Sequence, residues 1–185
     1  EVIKNLSLRL STRGWEITVA CRPHPERTEK YICNAQIVEF DITGCSSRGY
    51  KGNPAAFVEF LKTSHFDIIC TFGTSTWTSD IIGWNSEAIA AKKIWVPTGY
   101  YNIFNPTFWP LYERLPTFLS RFDAVVQLSE GYRDAALHRL FSLTHAVTIP
   151  NGVDFEAFQA ASAHFREKYG IAPEQKIVLH VSNHF

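Results

Sequence analysis

Two short stretches carry residue types suited to polyhydroxylated ligands. Gly73-Thr74-Ser75-Thr76 places three hydroxyl side chains directly after the apolar run Asp67-Ile-Ile-Cys-Thr-Phe72 and ahead of a helical pattern. At a helix N-terminus the first backbone N–H groups lack partners and the dipole favours negative charge, so sugar hydroxyls or a phosphate can be held there. The same residues also suit plain helix capping, and both readings stand. Thr98-Gly99-Tyr100-Tyr101 follows the next apolar run, Lys93-Ile-Trp-Val-Pro97. Its two tyrosines offer faces for a sugar ring to stack on, or simply bulk to fill a crevice. Gly44 to Asn53 is rich in Gly and Ser and reads as a mobile loop able to cover a ligand. Among the histidines, His24 and His65 lie in polar loops, His138 falls on a helix surface and His180 alternates with apolar neighbours like a core residue. His184 ends the last apolar run.

Such stretches need a scaffold that gathers strand ends. Residues 1–13 show apolar Val2, Ile3, Leu6 and Leu10 at helical spacing, with Gly14 as the stop. Strands are expected over 15–21 and 35–41, then a helix from Pro54 to Lys62. The run 67–72 predicts a central parallel strand buried on both faces. A helix should follow to about Lys92, then a strand over 93–97. Residues 102–121, broken by Pro106, Pro110 and Pro116, read as irregular chain with helical turns. A strand over 124–128, a helix over 130–141 capped by Ser129 and a strand over 146–149 complete the series.

Strand and helix patterns alternate throughout, which predicts an α/β domain with a doubly wound parallel sheet. The series ends at Ile149-Pro150-Asn151-Gly152-Val153-Asp154, where Pro fixes φ, Asn and Gly tolerate positive φ, and Asp154 is placed to cap a following helix. A short helical segment and a fresh apolar strand, Lys176 to Ser182, come after it. This pattern is that of a domain crossover, dividing the chain into 1–150 and 151–185.

The 185 residues suffice for one good core and the beginning of another. Eighteen basic residues balance 18 acidic ones, so nothing points to a nucleic-acid partner. No apolar run is long enough to span a bilayer. Cys21, Cys33, Cys45 and Cys70 show no metal-ligand spacing and read as unremarkable reduced thiols, with Cys70 buried in its strand. Met is absent throughout and the chain opens within a helical pattern, so a piece of a longer polypeptide is expected, with the sheet's first strand before Glu1.

Taken in order, these motifs resemble the N-terminal half of a GT-B glycosyltransferase of the large retaining group called family 4, or group 1. Glu1 to Val19 is similar to that family's first helix and second strand, which read Arg-Gly-His-Glu and Val-Thr-Val where this chain has Arg13-Gly-Trp-Glu16 and Ile17-Thr-Val19. Phe122-Asp-Ala-Val-Val-Gln-Leu-Ser-Glu130 is similar to its "aDavialSe" strand and cap, and Ile149 to Asp154 to its "iPNGvD" crossover. Phe165 to Ile171 and Ile177 to His184 look like the opening of the C-terminal donor domain. The chain departs from the family pattern at two strand ends. Cys70 to Trp77 lacks the expected His, and Pro97 to Tyr101 lacks a Thr-x-His, which leaves catalytic competence open.

The resemblance implies a Rossmann-like acceptor-side domain of an enzyme that moves a sugar from a nucleotide-sugar to an acceptor hydroxyl, with retention and without a metal. The nucleotide-sugar is the donor substrate, no further cofactor is implied, and the acceptor is a carbohydrate or lipid-linked molecule. The location implied is cytoplasmic, free or peripheral to the inner face of the membrane. On this reading Gly73, Thr74, Ser75, Thr76, Thr98, Gly99, Tyr100 and Tyr101 are candidates for the acceptor site. Pro150 to Asp154 form the crossover, Ser182, Asn183 and His184 are donor-side candidates, and no catalytic residue is assigned. The chain by itself is expected to be inactive. Two alternatives stay open: a non-catalytic GT-B-like binding or scaffold domain, and a self-contained flavodoxin-like domain in which Ile177 to Val181 pairs in the main sheet.

Overall fold

The computed structural model describes residues 2–100, 103–159, 164–178 and 180. The chain divides into two compact units, 1–150 and 151–185.

In the first unit, helix α1 (Val2–Ser11) ends where Gly14, at φ +86°, lets Trp15 N–H return to the Leu10 carbonyl. Strand β1 (Ile17–Cys21) pairs in parallel with β3 (Ala35–Glu39), from Ile17 opposite Ala35 to Cys21 opposite Glu39. The two-residue strand β2 (Tyr31–Ile32) runs antiparallel on the far edge of β3. A second, four-stranded sheet is entirely parallel, in the order β6 (Ile68–Phe72), β7 (Lys92–Val96), β8 (Ala124–Gln127), β9 (Ala146–Thr148). No ladder joins β1 to β6 among the described residues, so the parallel strands form two pieces.

Between β3 and helix α2 (Pro54–Thr63) the chain is not the mobile loop its Gly and Ser content suggests. It forms a hairpin of β4 (Thr43–Cys45) and β5 (Gly49–Lys51). Gly44 makes the close pairing possible: at φ +91° a Cβ there would stand 2.0 Å from the Gly49 carbonyl oxygen. Asn53 caps α2 by accepting the Ala56 N–H at 3.1 Å, with Pro54 in the first turn.

β6 is followed by α3 (Trp77–Trp84), which ends well before Lys92 because Asn85 turns its side-chain N–H onto the Ile81 carbonyl and a 3₁₀ turn over Ser86–Ala88 takes over. The proline-rich segment forms a 3₁₀ turn and two one-turn helices, α4 (Trp109–Glu113) and α5 (Leu115–Leu119), each with Pro in its first turn. Helix α6 spans Arg133–Leu140. Ser129 does not cap it; its hydroxyl accepts the Gly131 N–H in the preceding turn.

The core lies between the four-stranded sheet and α2, α3 and α5, and among the described residues mixes aliphatic side chains with six aromatic ones. Trp95 packs against Phe118 and Phe122, and Phe57 meets Trp77 edge to face at 4.9 Å. Burial on β6 alternates: Ile69 and Thr71 face this core, whereas Ile68 and Cys70 are exposed. The expectation of a strand buried on both faces, with a buried Cys70, is thereby corrected. The apolar face of α1 (Val2, Ile3, Leu6) is also exposed.

In the second unit, α7 (Phe155–Gln159) follows directly on Asp154, and α8 (Phe165–Lys168) ends at Gly170, φ +63°. Arg166 fastens the chain beyond it by donating to the Ala172 and Gln175 carbonyls. The strand expected over 176–182 is not seen in its described residues: 176–178 and 180 carry no ladder and His180 is exposed, not a core residue. Leu179 and residues 181–185 lie outside the described residues.

Candidate functional site

The hydroxyls of the 73–76 turn divide sharply by what they bond. Thr74 Oγ1 lies 2.9 Å from the Pro97 carbonyl and 3.0 Å from that of Gly99, tying the turn after β6 to the turn after β7. Thr76 is the N-cap of α3, its Oγ1 accepting the Ser79 N–H at 3.4 Å. The Ser79 hydroxyl in turn reaches the Gly73 carbonyl at 2.9 Å, which also accepts the Trp95 indole N–H at 2.9 Å. Capping and bracing therefore account for Thr74 and Thr76. Ser75 is different. Its Oγ is buried without a hydrogen-bond partner, and its backbone is left-handed at φ +57°. A buried hydroxyl without a partner costs about 1–3 kcal/mol, and a strained backbone adds to that, a combination that collects at ligand sites.

The 98–101 turn does not provide a stacking platform at Tyr100. This ring is fully buried, edge-on to Trp95 at 6.0 Å, and its hydroxyl lies 2.8 Å from His138 Nε2. His138, expected on the helix surface, is buried as well. Its Nδ1 lies 2.9 Å from Gln127 Oε1, and since that carbonyl can only accept, Nδ1 carries the proton and Nε2 accepts from Tyr100. Gln127 continues the chain by donating to Thr148 Oγ1 at 2.8 Å and Glu130 Oε1 at 3.1 Å. Burial, with a lesser push from His145, lowers the pKa of His138, and burial raises that of the Tyr100 phenol. Asp134 anchors the same turn by accepting the Tyr100 backbone N–H at 3.4 Å. Thr98 remains exposed and left-handed at φ +57°, next to Gly99 at φ +107°. Tyr101 lies outside the described residues.

The free side of the 73–76 turn opens on a cleft of about 440 Å³. Its walls are Cys21 and Arg22 at the C-terminal end of β1, Thr43 and Gly44 of the hairpin, and Ser75 to Thr78 at the start of α3. Ligands of open α/β sheets bind outside the carboxyl ends of the parallel strands, which is where this cleft lies. Arg22 supplies a cation; its ion pair with Asp41, at 4.0 Å, involves a carboxylate 84% exposed and holds it weakly. The hairpin wall is fixed by Asp80 of α3, which accepts both the backbone N–H and the hydroxyl of Ser46. Burial pushes Asp80 upward in pKa and the two bonds from Ser46 pull the other way.

A model of Glycosyltransferase Family 4 matches residues 1–157. The chain belongs to this family. Glycosyl transfer is accordingly the chemistry with which its α/β domain is associated, and the cleft beside Ser75 is read in that light. No curated protein matches the chain.

Of the residues singled out from the sequence, the structure brings Gly73 to Thr76 and Thr98 to Tyr100 together through Thr74. It turns Tyr100 inward. Pro150 to Asp154 are exposed chain without regular structure, and neither Asn151 nor Gly152 adopts positive φ. Ser182, Asn183 and His184 lie outside the described residues. Arg22 was missed, and the segment from Gly44, expected as a mobile cover, is instead a fixed hairpin wall. The available signal was a basic residue directly after a strand, which takes on meaning only once β1 is known to end beside β6.

Proposed function

We propose that this chain is the acceptor-side half of a retaining, metal-independent glycosyltransferase that takes its sugar from a nucleotide-sugar. The observation that carries the reading is Ser75, a buried hydroxyl with no partner on the wall of a cleft at the carboxyl ends of two parallel strands. A turn about the Ser75 Cα–Cβ bond brings the unpartnered Oγ to the cleft, where an entering acceptor hydroxyl satisfies it, and that bond fixes the acceptor oxygen in a near-attack position. The N-terminus of α3 and the guanidinium of Arg22 favour negative charge in the same space, so they steady the charge that develops as the sugar leaves its pyrophosphate. Ser182, Asn183 and His184 belong to this reading as donor-side contacts.

The test is a polypeptide carrying this chain together with a donor-binding half, assayed against a panel of nucleotide-sugars. Transfer or hydrolysis of at least one supports the reading, and none across the panel defeats it. A binding or scaffold domain is the second reading, favoured by the turn from Cys70 to Trp77, in which no His stands ready to touch the sugar. Nucleotide-sugar binding without turnover would select it.

A further inference from the structure

The β4–β5 hairpin walls a second groove of about 600 Å³, a volume that takes a whole small-molecule ligand. Pro54, Ala55 and Val58 of α2 form one side, and Ile81 and Trp84 of α3 the other. These walls are apolar. Ser46 and Tyr50 of the hairpin close one part, and Asn85 and Arg114 bring polar groups to the rest.

Arg114 is the unusual member. Its guanidinium carbon sits 4.2 Å over the Trp84 ring, and among the described residues no carboxylate pairs with it. Stacking on an indole fixes the plane of a guanidinium while leaving its five N–H donors, which lie in that plane, available at the edge. Such a fork matches a carboxylate or phosphate with two parallel bonds, and contact with the Trp84 ring restrains it before the ligand arrives. The apolar walls add a second requirement, because an inorganic anion would leave them wet.

We propose that this groove is an acceptor subsite for a small amphiphilic oxyanion, whose phosphate or carboxylate docks on Arg114 while its apolar part lies between α2 and α3. The inference rests on the acceptor-side reading above and narrows it to acceptors that carry an anionic group on an apolar aglycone. The hairpin links the two spaces: Thr43 and Gly44 face the cleft beside Ser75, and Ser46 and Tyr50 face the groove. An acceptor held in the groove is thereby directed toward that cleft.

The test is an NMR titration of this chain with phenyl phosphate, following the Trp84 indole and Arg114 Nε–H signals, with inorganic phosphate, phenol and phosphatidylglycerol vesicles as separate arms. The expected result is saturable binding that moves both signals, about tenfold tighter than inorganic phosphate or phenol, and about tenfold weaker in Arg114→Gln. Ala55→Glu, an exposed position on the groove wall, should weaken it equally while leaving the remaining spectrum unchanged. Phenyl phosphate binding no better than inorganic phosphate overturns the proposal, as does unchanged affinity in Arg114→Gln. A preference for vesicles that Arg114→Gln abolishes also overturns it, since the surface would then be a membrane contact. Because binding is read without turnover, a groove that binds in a protein without transferase activity refutes only the acceptor-side reading. Transfer to neutral acceptors with the groove unresponsive refutes only this one.

Discussion

Ser46 donates both its backbone N–H, at 2.7 Å, and its hydroxyl, at 2.8 Å, to a single oxygen of Asp80. The carboxylate is buried in α3, and Ser46 stands at the tip of the β4–β5 hairpin. One buried carboxyl group thus converts a Gly- and Ser-rich segment into a fixed wall shared by two ligand-sized spaces.

Asp80→Asn should release that wall. If the amide keeps its oxygen toward one donor, it cannot accept both bonds with the strength of a carboxylate, and loss of a buried charge-assisted pair costs about 1–3 kcal/mol. Chemical denaturation should show this loss. Amide exchange at Ser46 should accelerate, whereas exchange on β7 should not.

His138 sets a pH dependence of stability. Its pKa in the folded protein is lowered from 6.5, so the unfolded chain binds a proton more readily than the folded one. Stability is therefore full above about pH 6.5 and falls as the pH drops through the window between 6.5 and the lowered folded value. Denaturation midpoints measured from pH 7.5 to about pH 5 should fall more steeply in the wild type than in His138→Asn, whose side chain does not titrate. Identical slopes in the two proteins would mean that His138 is protonated as easily folded as unfolded.

Gly83 lies in the last turn of α3, where alanine would ordinarily still be the better helix former, by up to about 1 kcal/mol. Here a Cβ would meet the Phe118 ring at 2.4 Å. The ring is wedged against Trp95 and Phe122 and has nowhere to go. Gly83→Ala should destabilise the domain by about 1–3 kcal/mol despite its helix propensity, as measured by thermal unfolding.

Thr98 holds a β-branched side chain at φ +57°, a conformation that costs such residues of the order of 1 kcal/mol or more. Thr98→Gly should therefore leave stability unchanged or raise it by up to about 1 kcal/mol, the relief of strain offsetting the added freedom of the unfolded chain. A clear loss in thermal unfolding would show that the Thr98 side chain braces the turn.

Much of the fold was legible because it depends on local pattern. Pro54 announces α2, Gly14 ends α1, and the prolines at 106, 110 and 116 break their segment into short turns as expected. What escaped depends on partners distant in sequence. Nothing near Ser46 signals that Asp80, 34 residues on, will order its hairpin. His138 reads as a surface residue until Tyr100, 38 residues earlier, and Gln127 are seen to satisfy both ring nitrogens. For the candidate site, composition located the 73–76 turn but could not separate capping hydroxyls from a spare one. That distinction rests on which donors and acceptors face each oxygen, and it singles out Ser75.

Ser75 therefore provides the most direct test of the account, in a polypeptide that carries this chain with a donor-binding half. Removing a buried, unpartnered hydroxyl relieves a cost of about 1–3 kcal/mol in the free protein, so Ser75→Ala should equal or exceed the wild type in thermal stability, whereas Thr76→Ala, which loses the α3 cap, should drop by about 1 kcal/mol. In the transfer assay the account predicts that Ser75→Ala lowers kcat/KM for the acceptor about tenfold, with the KM for the nucleotide-sugar unchanged. Unaltered acceptor kinetics in Ser75→Ala would contradict it and leave the cleft without a role in binding the acceptor.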